Sequence, residues 1–286
     1  AYGVQGFDSV KSLESVCKSS IRIANSEEIQ IKTLEACAIS LSHRMGPTHI
    51  NFPMDLQRKL VKLNNADFSD YAPKQSVAQI LSSDIQTQMV SDFQSSTSPL
   101  LYIGNGCREE STIELLNSFI LENQIPFLLS WSAIDLFPET HPLNVGRVGI
   151  YGDRAANILL QRSDLLITIG TRLAIPQVGY NKSDFARCAK KWVFEIDPRE
   201  CEKFEGLGWN VLNIESKQAI ELISDKLKGI GYSNPQKWFS TILETKKALP
   251  RILQAKNQEE DKSGFLHSAD AIAVINRMRK NNSIIV

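Results

Sequence analysis

Four short segments of this chain are apolar at almost every position, and they constrain the fold more than any other feature. They span residues 100–103, 126–129, 165–169 and 192–196. A strand that is apolar on both faces must be covered on both faces, which is typical of a parallel sheet between two layers of helices. Segments of helical length separate these strands. The alternation therefore predicts an α/β fold with a doubly wound parallel sheet.

The intervening segments supply the predicted helices and a weaker strand. Apolar residues at helical spacing predict helices between the strands and on either side of them, and residues 211–214 predict a short additional strand. The predicted helices span residues 27–43, 77–93, 111–121, 155–161, 218–228, 235–256 and 269–279. Residues 49–52 before the main alternation and 284–286 after it also read as strands.

Polar stretches divide the chain into five parts. Residues 64–76 and 229–264 are rich in polar residues and predict linkers, the second of them containing a helix. They leave a partial α/β region at 1–63, a central domain at 77–228, and a helix followed by a strand at 265–286. The chain opens on Ala1 rather than methionine and closes on an apolar run, so we expect a piece of a longer protein.

Composition and charge limit the classes of binding partner and the cellular compartment that we expect for this protein. Lys and Arg total 32 and Asp and Glu total 32, so the formal net charge is zero and offers no long-range attraction to nucleic acid or to an anionic membrane. No apolar run approaches the roughly 20 residues that span a bilayer. The cysteines are odd in number, five, and none forms a C-x-x-C pair. Reduced thiols in a cytoplasmic protein are expected.

A glycine-rich turn follows the first apolar strand. Gly104, Asn105 and Gly106 lie between that strand and the next helix, where glycines let a backbone approach a phosphate at a helix N-terminus. The complete G-x-G-x-x-G pattern is absent. Taken alone, such a segment is more often a tight strand-to-helix turn than a nucleotide site.

Three more segments carry candidate ligand-binding residues, and each residue also has a purely structural interpretation. Asp153 stands where an N-cap is expected, so its helix either presents backbone to a ligand or is simply capped. Arg172, after Gly170 and Thr171, either binds a phosphate or pairs with a neighbouring carboxylate. The acid Asp197 either holds a ribose hydroxyl or caps the following helix. The four histidines are scattered, and we assign none of them a catalytic role.

Four segments in order resemble the acetolactate synthase-like family of thiamine-diphosphate enzymes. GPTHINFPMDLQ at 46–57 is similar to the end of that family's pyrimidine-binding domain. SWSAID at 130–135, GRVGIYGDRAAN at 146–157 and SDLLITIGTRL at 163–173 resemble its Rossmann-like central domain. The resemblance covers nearly the whole chain, and the order of the segments makes it more specific than any single glycine motif.

The resemblance implies an architecture and a chemistry. Residues 1–63 correspond to the C-terminal part of the pyrimidine-binding domain, 77–228 to the central domain, and 265–286 to the start of the diphosphate-binding domain. The family's activating glutamate is expected before Ala1 and its magnesium–diphosphate motif beyond Val286. Thiamine diphosphate and Mg²⁺ are the implied cofactors of the full-length protein, a 2-oxo acid such as pyruvate is the implied substrate, and a homodimer or tetramer is the implied assembly.

The same resemblance makes FAD a candidate ligand of the central domain. The positions that match the family's flavin-binding residues are Gly104, Asn105, Gly106, Ser130, Trp131, Gly149, Tyr151, Gly152, Gly170, Thr171, Arg172 and Asp197. Several positions depart from the pattern. Ala133 and Asp135 replace glycines, Tyr151 replaces a histidine, and residues 174–176 replace a "DDR" run. Asp8 also replaces a glutamine near the substrate.

Two other functions remain open from the sequence. The departures from the flavin pattern also fit a 2-oxo acid decarboxylase of the same superfamily. A non-catalytic nucleotide-binding or scaffold module is the alternative from a different class. A glutamate-bearing domain upstream and a G-D-G…N run downstream in the gene would distinguish an enzyme from such a module.

Overall fold

The computed structural model describes residues 6–42, 44–66, 70–71, 82–232, 234–250, 268–280 and 283. The chain divides into two compact units, Ala1–Gln79 and Ile80–Val286. In the first unit, two helices and two strands are α1 Ser9–Leu13, β1 Ser19–Arg22, α2 Ile29–Leu41 and β2 Thr48–Asn51. In the second, the elements are α3 Ser83–Ser95, β3 Pro99–Ile103, α4 Glu110–Asn123, β4 Phe127–Leu129, β5 Asn144–Arg147, α5 Arg154–Arg162, β6 Leu165–Ile169, α6 Ile175–Val178, β7 Lys190–Glu195, α7 Pro198–Glu202, β8 Asn210–Asn213, α8 Ser216–Lys228, α9 Gln236–Ala248 and α10 Ser268–Met278.

The second unit is built on a six-stranded parallel sheet in the order β5-β4-β3-β6-β7-β8. All the strand pairs are parallel, and β3 pairs with β6 over five residues from Pro99↔Leu165 to Ile103↔Ile169. Strands β4 and β5 follow one another on one side of β3, and strands β6, β7 and β8 follow one another on its other side. This arrangement confirms the predicted doubly wound α/β fold.

Two apolar layers cover the sheet, one on each face. Leu101 and Ile103 of β3 pack in the layer with α3, α4 and α8, which contribute Met89, Phe119 and Ile220. The alternate residues of β3, Leu100 and Tyr102, pack in the other layer, with apolar residues of α5 and α9. Because successive side chains of a strand point to opposite faces, a run that is apolar throughout serves both layers.

Helix α9 packs on the second unit. Its Trp238 is buried, and the indole Nε1–H donates to the carbonyl oxygen of Pro99 at 3.0 Å. Ile242, one turn further along, lies in the same apolar layer as α5. The predicted helix 235–256 is therefore observed through Ala248, and its positions from 251 onward lie outside the described residues.

Several other predictions can be compared with the observed elements. The helix predicted at 269–279 corresponds to α10, and the one predicted from residue 77 corresponds to α3, although positions 77–81 lie outside the described residues. The strand predicted at 284–286 lies outside them, as do residues 67–69 and 72–76 of the first predicted linker and residues 233 and 251–264 of the second. Strand β5 was not predicted, because Asn144-Val-Gly-Arg147 forms no apolar run.

The first unit holds a parallel pair, β1 with β2, in register from Ser19↔Thr48 to Arg22↔Asn51. The strand predicted at 49–52 is β2, whereas β1 was not predicted because Ser-Ser-Ile-Arg is mostly polar. The helix predicted at 27–43 is a 3-10 turn followed by α2, and His43 lies outside the described residues. The Lys18 ammonium donates to the carbonyl oxygens of Ile39 and Ser42 and so caps the C-terminal end of α2. Across the described residues, no helix is long and apolar enough to cross a membrane.

Candidate functional site

The loops after β3 and β6 meet where the strand order reverses. In open α/β sheets this is the point at which ligands bind, outside the carboxyl ends of the strands. The backbone N–H of Gly104 donates to the oxygen of Ile169 at 2.9 Å, and that of Gly106 donates to the oxygen of Gly170 at 3.0 Å. The structure therefore brings three of the predicted site residues, Gly104, Gly106 and Gly170, into direct contact.

Glycine is required at these positions by contact between the two loops. A Cβ built on Gly104 would collide with the Gly170 carbonyl, and one built on Gly106 would lie 2.8 Å from the Gly170 Cα. Gly170 itself has φ +59° and would bring a Cβ within 2.8 Å of Ser216 Oγ. The tight-turn interpretation of this segment thus accounts for its glycines through packing of backbone on backbone.

An arginine that the sequence analysis did not single out joins the loops after β3 and β4. The Arg108 guanidinium binds both carboxylate oxygens of Asp135, at 2.8 and 2.7 Å. It also donates to Asn105 Oδ1 at 2.7 Å and to the carbonyl oxygen of Ser132 at 2.6 Å. The hydrogen bond from Arg108 holds the pKa of Asp135 at about 2, below its usual range. Asn105, a predicted site residue, is therefore bound within this cluster.

Two aromatic rings lie together beyond the ends of β4 and β5. Trp131 and Tyr151 have ring centroids 4.9 Å apart at an interplanar angle of 40°. Their exposed fractions are 39% and 75%, whereas the preceding Ser130 is buried. This pair brings two predicted site residues together on the surface, and it is the most exposed aromatic pair of the described sheet ends.

The loop after β5 is fixed by side-chain-to-backbone hydrogen bonds. Asn157 accepts from the Gly149 N–H at 3.0 Å and donates to the Gly149 oxygen at 3.1 Å. Asp153 occupies the N-cap position of α5, as predicted, but its side chain makes no capping bond. The carboxylate turns back instead, accepting from the Arg147 backbone N–H at 2.9 Å and lying 3.4 Å from the Arg147 guanidinium. A Cβ on Gly152 would lie 2.5 Å from the Arg147 oxygen, so this loop is also closely packed.

At the end of β6, Arg172 forms an ion pair. Its Nε donates to Glu200 Oε1 at 2.5 Å, and its own backbone oxygen accepts from the Lys203 ammonium. Lys203 also binds the other oxygen of Glu200 at 2.6 Å. Of the two interpretations of Arg172 offered by the sequence, the structure thus realises the pairing with a neighbouring carboxylate, while Thr171 beside it is buried.

The acid at the end of β7 is a helix cap in the structure. Asp197 accepts from the backbone N–H of Arg199 at 3.0 Å and so begins α7. The neighbouring Glu195 is buried and accepts from the backbone N–H groups of Arg172 and Asp197. The structure therefore assigns Asp197 its capping role, and Glu195 joins the loops after β6 and β7.

A cavity of the second unit reaches the loop after β5 through Asp153 but none of the other loops described above. This cavity of about 390 Å³ lies against β5, α5 and the end of α9, and its lining includes Gly146, Asp153 and Lys246 but none of the twelve predicted site residues. Within the described part of the chain, no three His, Cys, Asp or Glu residues are grouped as a metal site would need.

Comparison with known proteins gives matches along this fold. Residues 87–207 match the family model described as "Thiamine pyrophosphate enzyme, central domain". The acetolactate synthase large subunit of Corynebacterium glutamicum is 32% identical over 193 residues, which cover 66% of this chain and 30% of that protein. The probable acetolactate synthase large subunit of Methanocaldococcus jannaschii is 27% identical over 249 residues, 85% of this chain and 41% of the relative.

A third relative aligns along almost the whole chain. The acetolactate synthase large subunit of Lactococcus lactis is 22% identical over 283 residues, 99% of this chain and 47% of the relative. The chain spans less than half the length of each of these three curated relatives. The family match runs from within α3 to just beyond α7 and includes five of the six strands of the sheet, β3 to β7.

Proposed function

Because the chain belongs to the thiamine pyrophosphate enzyme family, of the acetolactate synthase kind, we propose that it is part of an enzyme acting on 2-oxo acids such as pyruvate. Thiamine diphosphate, when bound to the full-length protein, would supply the chemistry for decarboxylation and for joining the product to a second carbonyl compound. The protein supplies binding and orientation. The observation that carries the proposal is the match of residues 87–207 to the central domain, a span that includes five of the six strands of the doubly wound sheet.

The described residues support a scaffolding part in this function. Hydrogen bonds and ion pairs within the chain already engage the polar groups at the sheet ends, Arg108, Arg172 and Asp197 among them. We therefore assign no catalytic residue to this chain. On this proposal, groups of the full-length protein outside the present chain would hold thiamine diphosphate and Mg²⁺.

The experiment is an assay of the product of the complete reading frame that encodes this chain. Reading the gene on both sides comes first, and CO₂ release from pyruvate is then measured with and without thiamine diphosphate and Mg²⁺. We expect cofactor-dependent release with acetolactate as the product. A protein that neither binds thiamine diphosphate nor consumes any 2-oxo acid would contradict the proposal and favour a nucleotide-binding or scaffold module.

The identity of the product distinguishes the two enzyme functions. A carboligase yields acetolactate from two pyruvate molecules, whereas a simple decarboxylase of the superfamily yields acetaldehyde. The present chain assayed alone is expected to show no thiamine-dependent consumption of pyruvate. Such activity in the purified chain would overturn the placement of the cofactor-binding groups.

Two further features of the full-length protein belong to this proposal. A cytoplasmic location is supported by the five cysteines, which are all free thiols in the structure. A homodimer or tetramer is proposed from the resemblance to the family. Sedimentation of the complete protein at several concentrations tests the assembly.

A further inference from the structure

The loops at the carboxyl ends of β3 to β6 are packed against one another in a way that bears on the flavin. We call this set of loops, residues 104–108, 130–135, 147–153 and 170–173, the rim. Glycines at a dinucleotide site normally leave open the space that a Cβ would fill, so that the ligand can approach the backbone. At the rim, the chain itself fills that space. The nearest atoms belong to residues 170–171 at Gly104, to 170 at Gly106, to 176 at Gly149, to 147–148 at Gly152, and to 106 and 216 at Gly170.

The three arginines of the rim are each paired with a carboxylate of the chain: Arg147 with Asp153 at 3.4 Å, and Arg108 and Arg172 in closer contacts. Arg108 uses its guanidinium on Asp135, Asn105 and Ser132. Asp135 stands where flavin-binding relatives of the resembled family carry glycine, so the acceptor of this ion pair is itself one of the departures. A phosphate that recruited Arg108 would have to break a bidentate pair, and it would meet the carboxylate left behind.

Arg172 is held by a carboxylate that is largely buried. The Glu200 side chain is 14% exposed and binds Arg172 through one oxygen and Lys203 through the other. Drawing Arg172 onto a ligand phosphate would remove one of these two partners from a carboxylate shielded from water, which is unfavourable. The residues assigned to FAD by resemblance therefore do not fit a dinucleotide in the arrangement that they adopt.

From these contacts we infer that the rim is held in shape by its own residues, with Arg108 as the central positioning residue, and that the protein is a flavin-independent member of its family. The loops that a dinucleotide would bridge are already joined: Arg108 joins the loops after β3 and β4, and Glu195 joins those after β6 and β7. The contact between the Trp131 and Tyr151 rings joins the loop after β5 to the loop after β4 in the same way. The inference concerns ligand binding only, so its test is separate from the test of turnover.

The first test is a titration of the complete protein and of the present chain with FAD, read by calorimetry and by the shift in melting temperature. A flavin-containing acetolactate synthase stripped of its cofactor serves as the positive control. We expect no saturable heat and no shift in melting temperature up to millimolar FAD. Saturable binding at micromolar FAD would overturn the inference, whatever the protein's activity on 2-oxo acids.

The second test measures whether Arg108 holds the rim. In Arg108→Gln, backbone amides of residues 104–108 and 130–135 should exchange hydrogen severalfold faster than in the wild type, and added FAD should not slow them. Lys228→Gln is the control, since it removes another exposed ion pair, with Glu122, from helix α8 of the same unit. Unchanged exchange in Arg108→Gln would overturn the positioning role.

Asp135→Asn keeps this test decisive if Arg108→Gln does not fold. It retains the size of the side chain but removes the charge that Arg108 binds. Faster exchange is again expected at residues 104–108 and 130–135 and nowhere on α8. Equal exchange along the whole unit in Asp135→Asn and the wild type would overturn the inference.

Discussion

The described part of the chain contains two parallel sheets, and they differ in how completely their strands are buried. In the six-stranded sheet of the second unit, every residue of β3 and β6 is buried, whereas none of the eight residues of β1 and β2 in the first unit is. The sequences already differ in the same sense: Pro-Leu-Leu-Tyr-Ile and Leu-Leu-Ile-Thr-Ile against Ser-Ser-Ile-Arg and Thr-His-Ile-Asn. Parallel sheets are stable when both faces are covered, so we expect nearly all of the chain's intrinsic stability to reside in the second unit.

Expressing the two units separately is the most direct test of whether the coverage of the strands sets their stability. Residues 77–250 expressed alone should unfold in one cooperative thermal transition, because the six-stranded sheet and both of its helix layers remain together. Residues 1–76 should show none, since a two-stranded sheet is marginal by itself. Calorimetry of the two fragments measures both outcomes. A cooperative transition in the 1–76 fragment would show that coverage of the strands is not what distinguishes the units.

The fragment 77–228, which is the predicted central domain, measures the contribution of α9 to the stability of the second unit. It lacks α9, whose Trp238 and Ile242 are buried in the second unit. We expect it to fold, at a melting temperature below that of 77–250. If 77–228 and 77–250 melt together, α9 contributes nothing and behaves as the predicted linker.

A pair of matched substitutions compares the sheets at single-residue resolution. Ile167→Ala in β6 removes a side chain that is 1% exposed, and it should lower the free energy of unfolding by about 2–5 kcal/mol. Ile50→Ala in β2 removes the same atoms from a half-buried site, where less area leaves water and no enclosed cavity forms. Its effect on the unfolding of the second unit should be negligible. Urea denaturation of the whole chain measures both, and equal losses would contradict the comparison.

How far the sequence predicted the fold follows the same division. The strands β3, β6 and β7 were found because their runs are apolar on both faces, which buried parallel strands require. The strands β1 and β5 were missed because they lie at sheet edges and carry Ser, Asn, Gly or Arg, so their formation depends on neighbours already in place. The position of the candidate site was predictable, because the carboxyl ends of successive strands meet at one edge.

The contacts within that site were not predictable from the sequence. Arg108 and Asp135 are 27 residues apart, and only the pairing of β3 with β4 brings their loops together. The same holds for Arg172 with Glu200, where the sequence offered a phosphate and a neighbouring carboxylate as alternative partners. A basic residue two positions after the Gly-Asn-Gly turn was the one local signal that pointed to Arg108. The position of a polar residue can be inferred from motifs, but its partner depends on the strand order.

A smaller effect is expected from the hydrogen bond that joins α9 to β3. Trp238→Phe keeps an aromatic ring in the apolar layer but removes the Nε1–H that binds the Pro99 oxygen at 3.0 Å. A single neutral hydrogen bond of this kind contributes about 0.5–1.5 kcal/mol, so the loss of stability should lie in that range. Leu243→Ala, on the exposed side of the same helix, is the control and should change stability less. A loss in Trp238→Phe no greater than in the control would mean that α9 is held by apolar contact alone.

The smallest expected effect concerns acid stability at the amino ends of β3 and β6. Burial alone would raise the pKa of Asp164, but hydrogen bonds from Ser96, Thr97 and Ser98 outweigh it and lower the pKa below its ordinary value. A carboxylate whose pKa is lower in the folded state stabilises that state above its unfolded pKa, about 3.9. The contribution is lost as the pH falls from there through the folded pKa.

Asp164→Asn should therefore reduce the stability of the second unit at neutral pH and flatten the decline of that stability below about pH 4. Asp225→Asn removes the same charge from the exposed face of α8 and serves as the control in urea denaturation at each pH. An acid decline as steep in Asp164→Asn as in the control would mean that these bonds do not favour the ionised carboxylate, and that the six-stranded sheet owes its stability to apolar coverage alone.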